Sequence, residues 1–315
     1  MTTSSLKDKI TEVFVKVDDF CNVFEKEFVK HQLPVPSDVK KRNRKAGLCD
    51  SEIITLLIAF HGGQFRNFKH FYLNYISVHL QKDFPDLVSY NHFIELSHRS
   101  ALAFMLFLHH GCRGECTGIS FIDSTILRVC HNKRIKRNKV FKGLAEIGKS
   151  SMGWFFGFKL HLIINDKGEI LVFYMSRGNV DDRNAKAITE MTKNLFGKLF
   201  GDKGYTSKVL GDLLFGNGIQ LITAVRKNMK EKALSNEEKL LLRKRSVIET
   251  VNDELKNICQ VEHTGHRSIS GFLLNIIVAI ADYPYFQKKP SIKKDIQETD
   301  PRLIKQYREQ LQLAA

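Results

Sequence analysis

The chain has 315 residues, of which 43% are hydrophobic and 26% are charged, so it can bury a sizeable core in one large or two ordinary domains. Its 49 lysines and arginines exceed its 34 aspartates and glutamates, and the net charge of +15 favours a polyanionic partner, either nucleic acid or an anionic membrane surface. No apolar run approaches the roughly 18 residues of a membrane span; the longest, Phe272 to Ala281, is interrupted by Asn275. Residues 1–9 are polar and carry no signal-peptide core, so we expect no secretory leader there.

The cysteine pattern predicts reduced thiols in the cytoplasm and not a disulfide framework. The six cysteines are scattered through the chain without an export signal: Cys21, Cys49, Cys112, Cys116, Cys130 and Cys259. One cluster, His109, His110, Cys112 and Cys116, has side chains that suit zinc. Its spacing matches no zinc module and no second half-site follows, so free thiols near a helix end are the favoured interpretation.

The first 110 residues or so are predicted to be helical. Apolar residues recur at spacings of three and four from Leu6 to Phe24, and this helix should stop at Pro34 and Pro36, before a basic linker at residues 40–45. A second helix, Glu52 to Phe60, should begin at an N-cap on Asp50 or Ser51. Gly62 and Gly63 break it, the helical pattern resumes over residues 65–78, and a further helix covers residues 90–108. Residues 50–78 are therefore a candidate helix-turn-helix, although a purely structural helix pair gives the same pattern.

From Gly118 onward the pattern changes to an α/β domain with a mixed sheet. Strands are predicted at residues 119–127, 154–164, 170–175, 198–200 and 219–224, and helices at 183–195, 207–215 and within 236–259. The predicted domains are a helical DNA-binding domain at 1–112, a catalytic domain at 113–287 and a basic tail at 288–315 with a modest helix near 301–313.

Three carboxylates stand at positions that suit chemistry. Asp123 ends the apolar run of the first strand, and Asp202 follows the strand at residues 198–200. Functional sites in open α/β sheets gather at the carboxyl ends of strands, although an Asp that ends a strand is more often a turn former. Glu249 falls on a helix from Arg245 to Ile258, whose apolar residues share one face at 100° per residue.

The opposite face of that helix groups Arg245, Glu249, Asn252 and Lys256. The simple interpretation is a solvated face with an ion pair. The chemical interpretation is a metal-facing carboxylate flanked by Arg245 and Lys256 on a phosphate backbone. Two Mg²⁺ ions require hard oxygen ligands, and they stabilise the attacking and leaving oxygens of an in-line displacement, so carboxylates on separate elements could form such a site.

The runs Phe121-Ile-Asp123-Ser-Thr, Leu199-Phe-Gly-Asp202-Lys-Gly-Tyr and Arg245-x3-Glu249-x6-Lys256 resemble those of bacterial insertion-sequence DDE transposases. The block Lys139-Val-Phe-Lys-Gly-Leu followed by Gly153-Trp-Phe-Phe-Gly-Phe-Lys-Leu-His161 resembles the nine-eighty-two group of those elements. The resemblance implies a ribonuclease-H-like fold with Asp123 on the first strand, Asp202 after the fourth and Glu249 on a late helix. It also implies two Mg²⁺ or Mn²⁺ ions and a homodimer on paired DNA ends. The related glutamate-helix signature has a tyrosine where this chain has Leu242.

Residues 143–150 match the P-loop pattern letter for letter. A P-loop follows a buried strand and opens a helix, whereas here a cationic run precedes the pattern and a strand is predicted to follow it. We therefore expect no bound nucleotide. The cationic run is a predicted DNA-backbone contact, with the solvated loop as its simple alternative; it comprises Lys133, Arg134, Lys136, Arg137, Lys139 and Lys142.

Trp154 and Phe155 are predicted to be core or sheet residues. Lys159 and His161 alternate on the same strand and could face the site, but a structural hydrogen bond is the favoured role for His161.

Together these features predict a transposase that cleaves insertion-sequence ends and transfers strands into target DNA, with Asp123, Asp202 and Glu249 as catalytic metal ligands. The N-terminal domain would recognise the terminal inverted repeats. The alternatives are a metal-dependent nuclease on the same fold, which hydrolyses without joining, and a non-catalytic DNA-binding repressor.

Overall fold

The computed structural model describes residues 3–31, 47–63, 65–224, 234–262 and 266–292. The chain forms two compact units. The first contains residues up to 112 together with 258–260 and 273–286, and the second contains 113–257, 261–272 and the residues from 287 onward. The sequence-based domain division assigned residues 273–286 to the catalytic domain, whereas in the structure they pack with the first unit.

The first unit is helical. Its helices are α1 (Thr3–Lys30), α2 (Asp50–Gly62), α3 (Phe68–Phe71), α4 (Ser77–His79), α5 (Tyr90–Arg99) and α6 (Ala101–Gly111), with a π-helical turn at Tyr72–Ile76 between α3 and α4. The amphipathic pattern of α1 is explained by burial of its apolar side, because Val13 and Val17 are fully buried.

Two predicted features of this unit take a different form, and a third cannot be compared. The first residue of α2 is Asp50, and Cys49 occupies the N-cap position. The single helix predicted at residues 90–108 is two helices that meet at Ser100, whose hydroxyl donates to Asp50 Oδ1 at 2.7 Å. The predicted stop at Pro34 and Pro36 and the basic linker at 40–45 lie outside the described residues.

The candidate helix-turn-helix contains one helix that is buried on nearly all sides. Eleven of the thirteen residues of α2 are buried, so its side chains are largely occupied by the core of the unit. The second half is short and irregular, with α3 and α4 joined by the π-helical turn, and its exposed residues include Lys69, His70 and Leu73.

The second unit is built on a six-stranded mixed sheet. Its strands are β1 (Ile119–Cys130), β2 (Glu146–Ser150), β3 (Gly153–Asn165), β4 (Ile170–Arg177), β5 (Gly197–Gly201) and β6 (Ile219–Thr223). The order is β2-β3-β1-β5-β6, and β4 pairs with β3 beside β2. β1, β3 and β4 are antiparallel neighbours, whereas β5 and β6 run parallel to β1. This confirms the coarse predicted class, a helical N-terminal region followed by an α/β domain with a mixed sheet.

Helices cover both faces of this sheet. They are α7 (Ala185–Thr192), α8 (Lys208–Gly216), α9 (Asn236–Lys244), α10 (Ser246–Asn257) and the first residues of α11 (Ile269–Asp282). Residues of α7 and α8 form one apolar cluster with Ile122, Ile163 and Leu199. α10 packs against β1 and β3, and the stripe predicted for it is buried at Val247, Ile248, Val251 and Leu255. Within the described parts of the chain, no helix is both long and apolar enough to cross a membrane.

The strand count before Asp202 differs from the expectation. Asp202 follows the fifth strand and not the fourth, because Glu146–Ser150 forms an additional strand, β2, which pairs with the beginning of β3. The tail helix predicted near residues 301–313 lies outside the described residues.

Candidate active site

Asp123 lies within β1, and Asp202 directly follows the neighbouring parallel strand β5. Phe121 of β1 pairs with Phe200 of β5, and each aspartate lies two residues beyond its phenylalanine. Because side chains two residues apart along a strand share a face, both carboxylates extend from the same face of the sheet. The backbones of adjacent strands lie about 5 Å apart, which brings the two aspartates together where β5 ends beside β1.

Glu249 reaches the same place through α10. Asn252 of that helix donates from Nδ2 to Asp123 Oδ2 at 3.0 Å, and its side chain is buried. Glu249 lies three residues before Asn252, so the two side chains project from the same side of the helix. The contact of Asn252 with Asp123 therefore brings Glu249 near Asp123 and Asp202, and the charges of Glu249 and Asp202 both raise the pKa of Asp123.

Arg245 stands between α9 and α10 and pairs with Glu249. Its guanidinium donates from Nη2 to Glu249 Oε1 at 2.6 Å, and the Arg245 side chain is mostly buried while Glu249 is half exposed. The structure has two helices in the segment predicted to contain a long one, and the second, α10, agrees closely with the helix predicted from Arg245 to Ile258. Lys256, one turn beyond Asn252, forms an ion pair with Glu262 at 3.2 Å.

The three carboxylates repel one another electrostatically. Burial raises the pKa of Asp123 from its ordinary value of 3.8 to about 6, opposed by a hydrogen bond from the Ser124 backbone and by the positive charge of Arg245. The negative charges of Asp202 and Glu249 raise that pKa further. A cation bound between these groups would relieve the repulsion.

Tyr205 lies beside the same charges. Burial raises the pKa of its phenol, and the charges of Asp123, Asp182 and Asp202 add to that shift. The tyrosine ends a short 3-10 turn, Lys203–Tyr205, that Asp202 caps, since Asp202 Oδ1 accepts from the Gly204 backbone at 2.6 Å. A Cβ on residue 204 would lie 2.7 Å from that carboxylate oxygen, so glycine is required for this close approach.

The donor chemistry fits a hard divalent cation. Carboxylate oxygens are the ligands that Mg²⁺ and Mn²⁺ prefer, and the amide oxygen Oδ1 of Asn252 is buried without a hydrogen-bond partner. In the described residues no three His, Cys, Asp or Glu side chains are grouped closely enough to hold a metal ion. Glu249 Oε1 instead pairs with Arg245 Nη2 at 2.6 Å.

The zinc cluster suggested by the sequence is likewise not among groupings of three metal-binding side chains, since the described residues contain none. Cys112 is a buried thiol whose Sγ donates to the Ala281 carbonyl, whereas Cys116 donates to the Phe196 carbonyl. The cysteines in the described ranges form no disulfide.

Lys159 and His161 lie on the opposite face of the sheet from Asp123. His161 pairs with Ser124, the neighbour of Asp123 on β1, so its side chain projects from the other face. His161 Nε2 lies 2.8 Å from the Ser176 hydroxyl, and burial lowers the pKa of the imidazole to about 4. Lys159 donates to Asp182 Oδ1 at 3.1 Å. The side chains that could have faced the site instead form a polar network behind it.

The predicted backbone-binding cations are exposed. Lys133, Arg134, Lys136 and Arg137 lie on a 3-10 helix, Asn132–Arg137, that directly follows β1. The P-loop pattern at residues 143–150 does not form a loop that opens a helix, because its second half is β2. Gly148 and Lys149 pair there with Phe155 and Trp154 of β3.

Sequence reasoning placed Asn252 on the helix face of Glu249 but assigned it no role, and it did not single out Tyr205 or Asp182. Spacing offers a signal for two of these residues. Asn252 follows Glu249 by three residues and Tyr205 follows Asp202 by three, so each shares a helical turn with a candidate ligand. No local pattern points to Asp182, whose neighbours come from the β1–β3 pairing.

Residues 113–269, which are 157 of the 315 residues, match the family model described as the transposase DDE domain. No curated protein matches the chain. Among solved structures, the chain is similar to a piggyBac transposase synaptic complex with hairpin DNA, with 12% identity, a TM-score of 0.47 and coverage of 95% of this chain and 77% of that one. It is also similar to the simian T-cell lymphotropic virus intasome in complex with PP2A regulatory subunit B56 gamma, with 8% identity, a TM-score of 0.31 and coverage of 64% and 69%. Both TM-scores lie below 0.5, so neither likeness establishes a fold or a function.

The family-model match covers most of the second unit and includes Asp123, Asp202 and Glu249, so the unit that carries the candidate site is similar to the transposase DDE domain.

Proposed function

We propose that this protein is a transposase that cleaves DNA at the ends of an insertion sequence and joins the freed ends to target DNA. The observation that supports this most strongly is the proximity of Asp123 and Asp202, which follows from the pairing of Phe121 with Phe200, together with the Asn252 hydrogen bond to Asp123 from the helix that carries Glu249. These residues all lie in the part of the chain that matches the DDE family model.

In this proposal, Asp123, Asp202 and Glu249 hold two divalent cations, Mg²⁺ or Mn²⁺, which when bound supply Lewis-acid stabilisation for exchange of one phosphodiester for another. Asn252 fixes the orientation of Asp123 through its 3.0 Å hydrogen bond. Arg245 balances the charge of Glu249 before the cations bind and is then available for a DNA phosphate. Lys256, close to the same helix face, would contact the DNA phosphate backbone next to the phosphate bound by Arg245.

DNA binding would use a different set of residues in each unit. The cations on the 3-10 helix after β1 would bind phosphates without regard to sequence. In the first unit, the burial of α2 leaves the exposed residues of α3 and its π-helical turn to contact base edges of the terminal repeats: Lys69, His70, Leu73 and Asn74. Pairing of two ends implies a homodimer, and we place the protein on DNA in the cytoplasm, within the nine-eighty-two group.

The test is incubation of the full-length chain with Mg²⁺ and a labelled fragment from the DNA that flanks its gene, scoring cleavage and joining separately. We expect both products, and we expect Asp123→Asn, Asp202→Asn and Glu249→Gln to abolish them while leaving DNA binding largely intact. Asp253→Asn is the matched control, because Asp253 lies on α10 but is exposed.

Cleavage without joining would favour the nuclease, and binding without cleavage would favour the repressor. Near-normal cleavage by the Glu249→Gln protein would contradict the role of that glutamate.

A further inference from the structure

The β2–β3 hairpin exposes apolar side chains at the end of the sheet where β1 ends. Trp154, the only tryptophan of the chain, is 60% exposed, and Met152 in the turn is 82% exposed. Phe155, the neighbour of Trp154, is fully buried, as predicted for a core residue. Large aromatic rings are usually buried because each removes a large apolar area from water, so an exposed tryptophan on a strand calls for a partner.

The tryptophan ring lies among positive charges. Lys149 pairs with Trp154 across the hairpin, and its Nζ is 5.6 Å from the ring centroid. Asn132 Nδ2 donates to the Trp154 carbonyl at 2.8 Å, which ties the hairpin to the first residue of the 3-10 helix that carries Lys133, Arg134, Lys136 and Arg137. These four cations and Lys149 are exposed.

The base of the hairpin is held closely against the sheet. A Cβ at Gly157 would overlap the carbonyl oxygen of Leu127, and a Cβ at Gly148 would overlap the carbonyl oxygen of Gly178. Backbones can approach this closely only because both positions are glycines. Trp154 therefore projects from a firmly packed part of the sheet and not from a loose loop.

We propose that the exposed face of Trp154, with Met152 and Lys149 beside it, is a stacking site for an unstacked base of bound DNA. An exposed aromatic ring next to a row of cations is the arrangement that binds single-stranded nucleic acid, with stacking for the base and lysine or arginine for the backbone. The cations favour a polyanion over an apolar protein surface, and the proposal rests on the proposed action on DNA.

The sheet also sets the position of that base. Trp154 is eight residues before Leu162 on β3, and Leu162 pairs with Asp123. At about 3.3 Å per residue the stacking site lies about 26 Å from the level of Asp123 along the strand. Nucleotides rise about 3.4 Å each along a duplex strand, so the unstacked base should lie about seven or eight nucleotides from the phosphodiester that is cut.

Because Trp154 is the only tryptophan, its intrinsic fluorescence reports this site directly. The experiment titrates the full-length protein, in chelator and without metal, with an oligo(dT) strand, with a continuous duplex and with a duplex that carries an unpaired bubble. We expect saturable quenching by the single strand and the bubble, and little quenching by the continuous duplex.

Variants separate stacking from charge. By anisotropy of labelled DNA, Trp154→Ala should weaken binding to the single strand and the bubble by roughly 5- to 150-fold, while Trp154→Phe retains most of the affinity. Phe215→Ala is the matched control, because Phe215 is an exposed aromatic residue on α8, 75% exposed, without such a basic row. Since Trp154 is exposed, its removal should leave the melting temperature unchanged.

Binding of labelled DNA without quenching would overturn the proposal, as would unchanged affinity of the Trp154→Ala protein. A fluorescence change on concentrating the protein alone, or with anionic vesicles, but not with DNA would also overturn it and assign the patch to a second copy or a lipid surface. Cleavage in Mg²⁺ is measured separately. If stacking fails while cleavage proceeds, only this inference fails; quenching without cleavage would instead contradict the proposed function.

Discussion

Replacing Asp123 by asparagine should stabilise the fold while it abolishes cleavage. The pKa of Asp123 is about 6 in the folded protein against an ordinary value of 3.8, mainly because of burial. Between those two pH values the folded state binds more protons than the unfolded state, so this group's contribution to stability falls as pH rises through the window. Above about pH 6, the buried charge costs about 3 kcal/mol relative to the protonated acid, at about 1.4 kcal/mol per pKa unit.

Asparagine has the shape of aspartate and no charge, and it can still accept the hydrogen bond from Asn252. In chelator at pH 7, we therefore expect the free energy of unfolding of Asp123→Asn to exceed that of the wild type by up to about 3 kcal/mol. At pH 5 the wild type has regained about 1.4 kcal/mol by protonation of Asp123, so the advantage of the variant should shrink by that amount.

The assay is urea unfolding of both proteins at the two pH values, with Asp253→Asn as the exposed control on α10. Asp282 has a pKa raised to about 6 as well, but it is present in both proteins and cancels from the difference. An Asp123→Asn protein that is less stable than the wild type at pH 7, or whose advantage does not change with pH, would refute this reasoning.

Three further outcomes are expected. Asn252→Leu should lower the affinity for Mn²⁺, measured by calorimetry, by about 10- to 100-fold, and an affinity within threefold of the wild type would contradict this. The stability should change little, because removal of the unpartnered amide oxygen offsets the lost hydrogen bond to Asp123. Lys9 and Asp282 form a buried ion pair at 2.6 Å, so Lys9→Met should lower the free energy of unfolding of the first unit by about 3–5 kcal/mol in urea. The double variant with Asp282→Leu should recover most of that free energy, and a double variant that is as unstable as Lys9→Met would count against the pair. The 3-10 helix after β1 carries Lys133, Arg134, Lys136 and Arg137. Neutralising these four cations together should flatten the slope of log affinity against log salt concentration on any duplex by about one unit per lost phosphate contact. An unchanged slope would show that they do not bind phosphates.

The candidate ligands could be predicted because each follows a strong local pattern. Asp123 and Asp202 end apolar strand segments, and Glu249 stands on a helix whose apolar stripe is unambiguous. Their convergence could not be predicted, since it depends on the pairing of Phe121 with Phe200 and on the contact between Asn252 and Asp123, which join residues far apart in sequence.

The missed features also arise from tertiary structure. Glu146–Ser150 has no strand pattern of its own and forms β2 only by pairing with β3. The interruption of the late helix at Arg245 carries no glycine or proline signal, and there the arginine pairs with Glu249. Trp154 lies in the predicted strand, yet its 60% exposure is a property of the folded hairpin that the strand pattern does not reveal.

The central claim is that Asp123, Asp202 and Glu249 hold the metal ions of a DNA-cutting site. The most direct measurement is the number and affinity of Mn²⁺ ions bound by the full-length chain on a pre-cleaved DNA end, by electron paramagnetic resonance. We predict two ions for the wild type and for Asp253→Asn, and loss of an ion or at least about tenfold weaker binding for Glu249→Gln, because the amide removes one charge from the cage. The same two ions bound with the same affinity by Glu249→Gln would contradict the account.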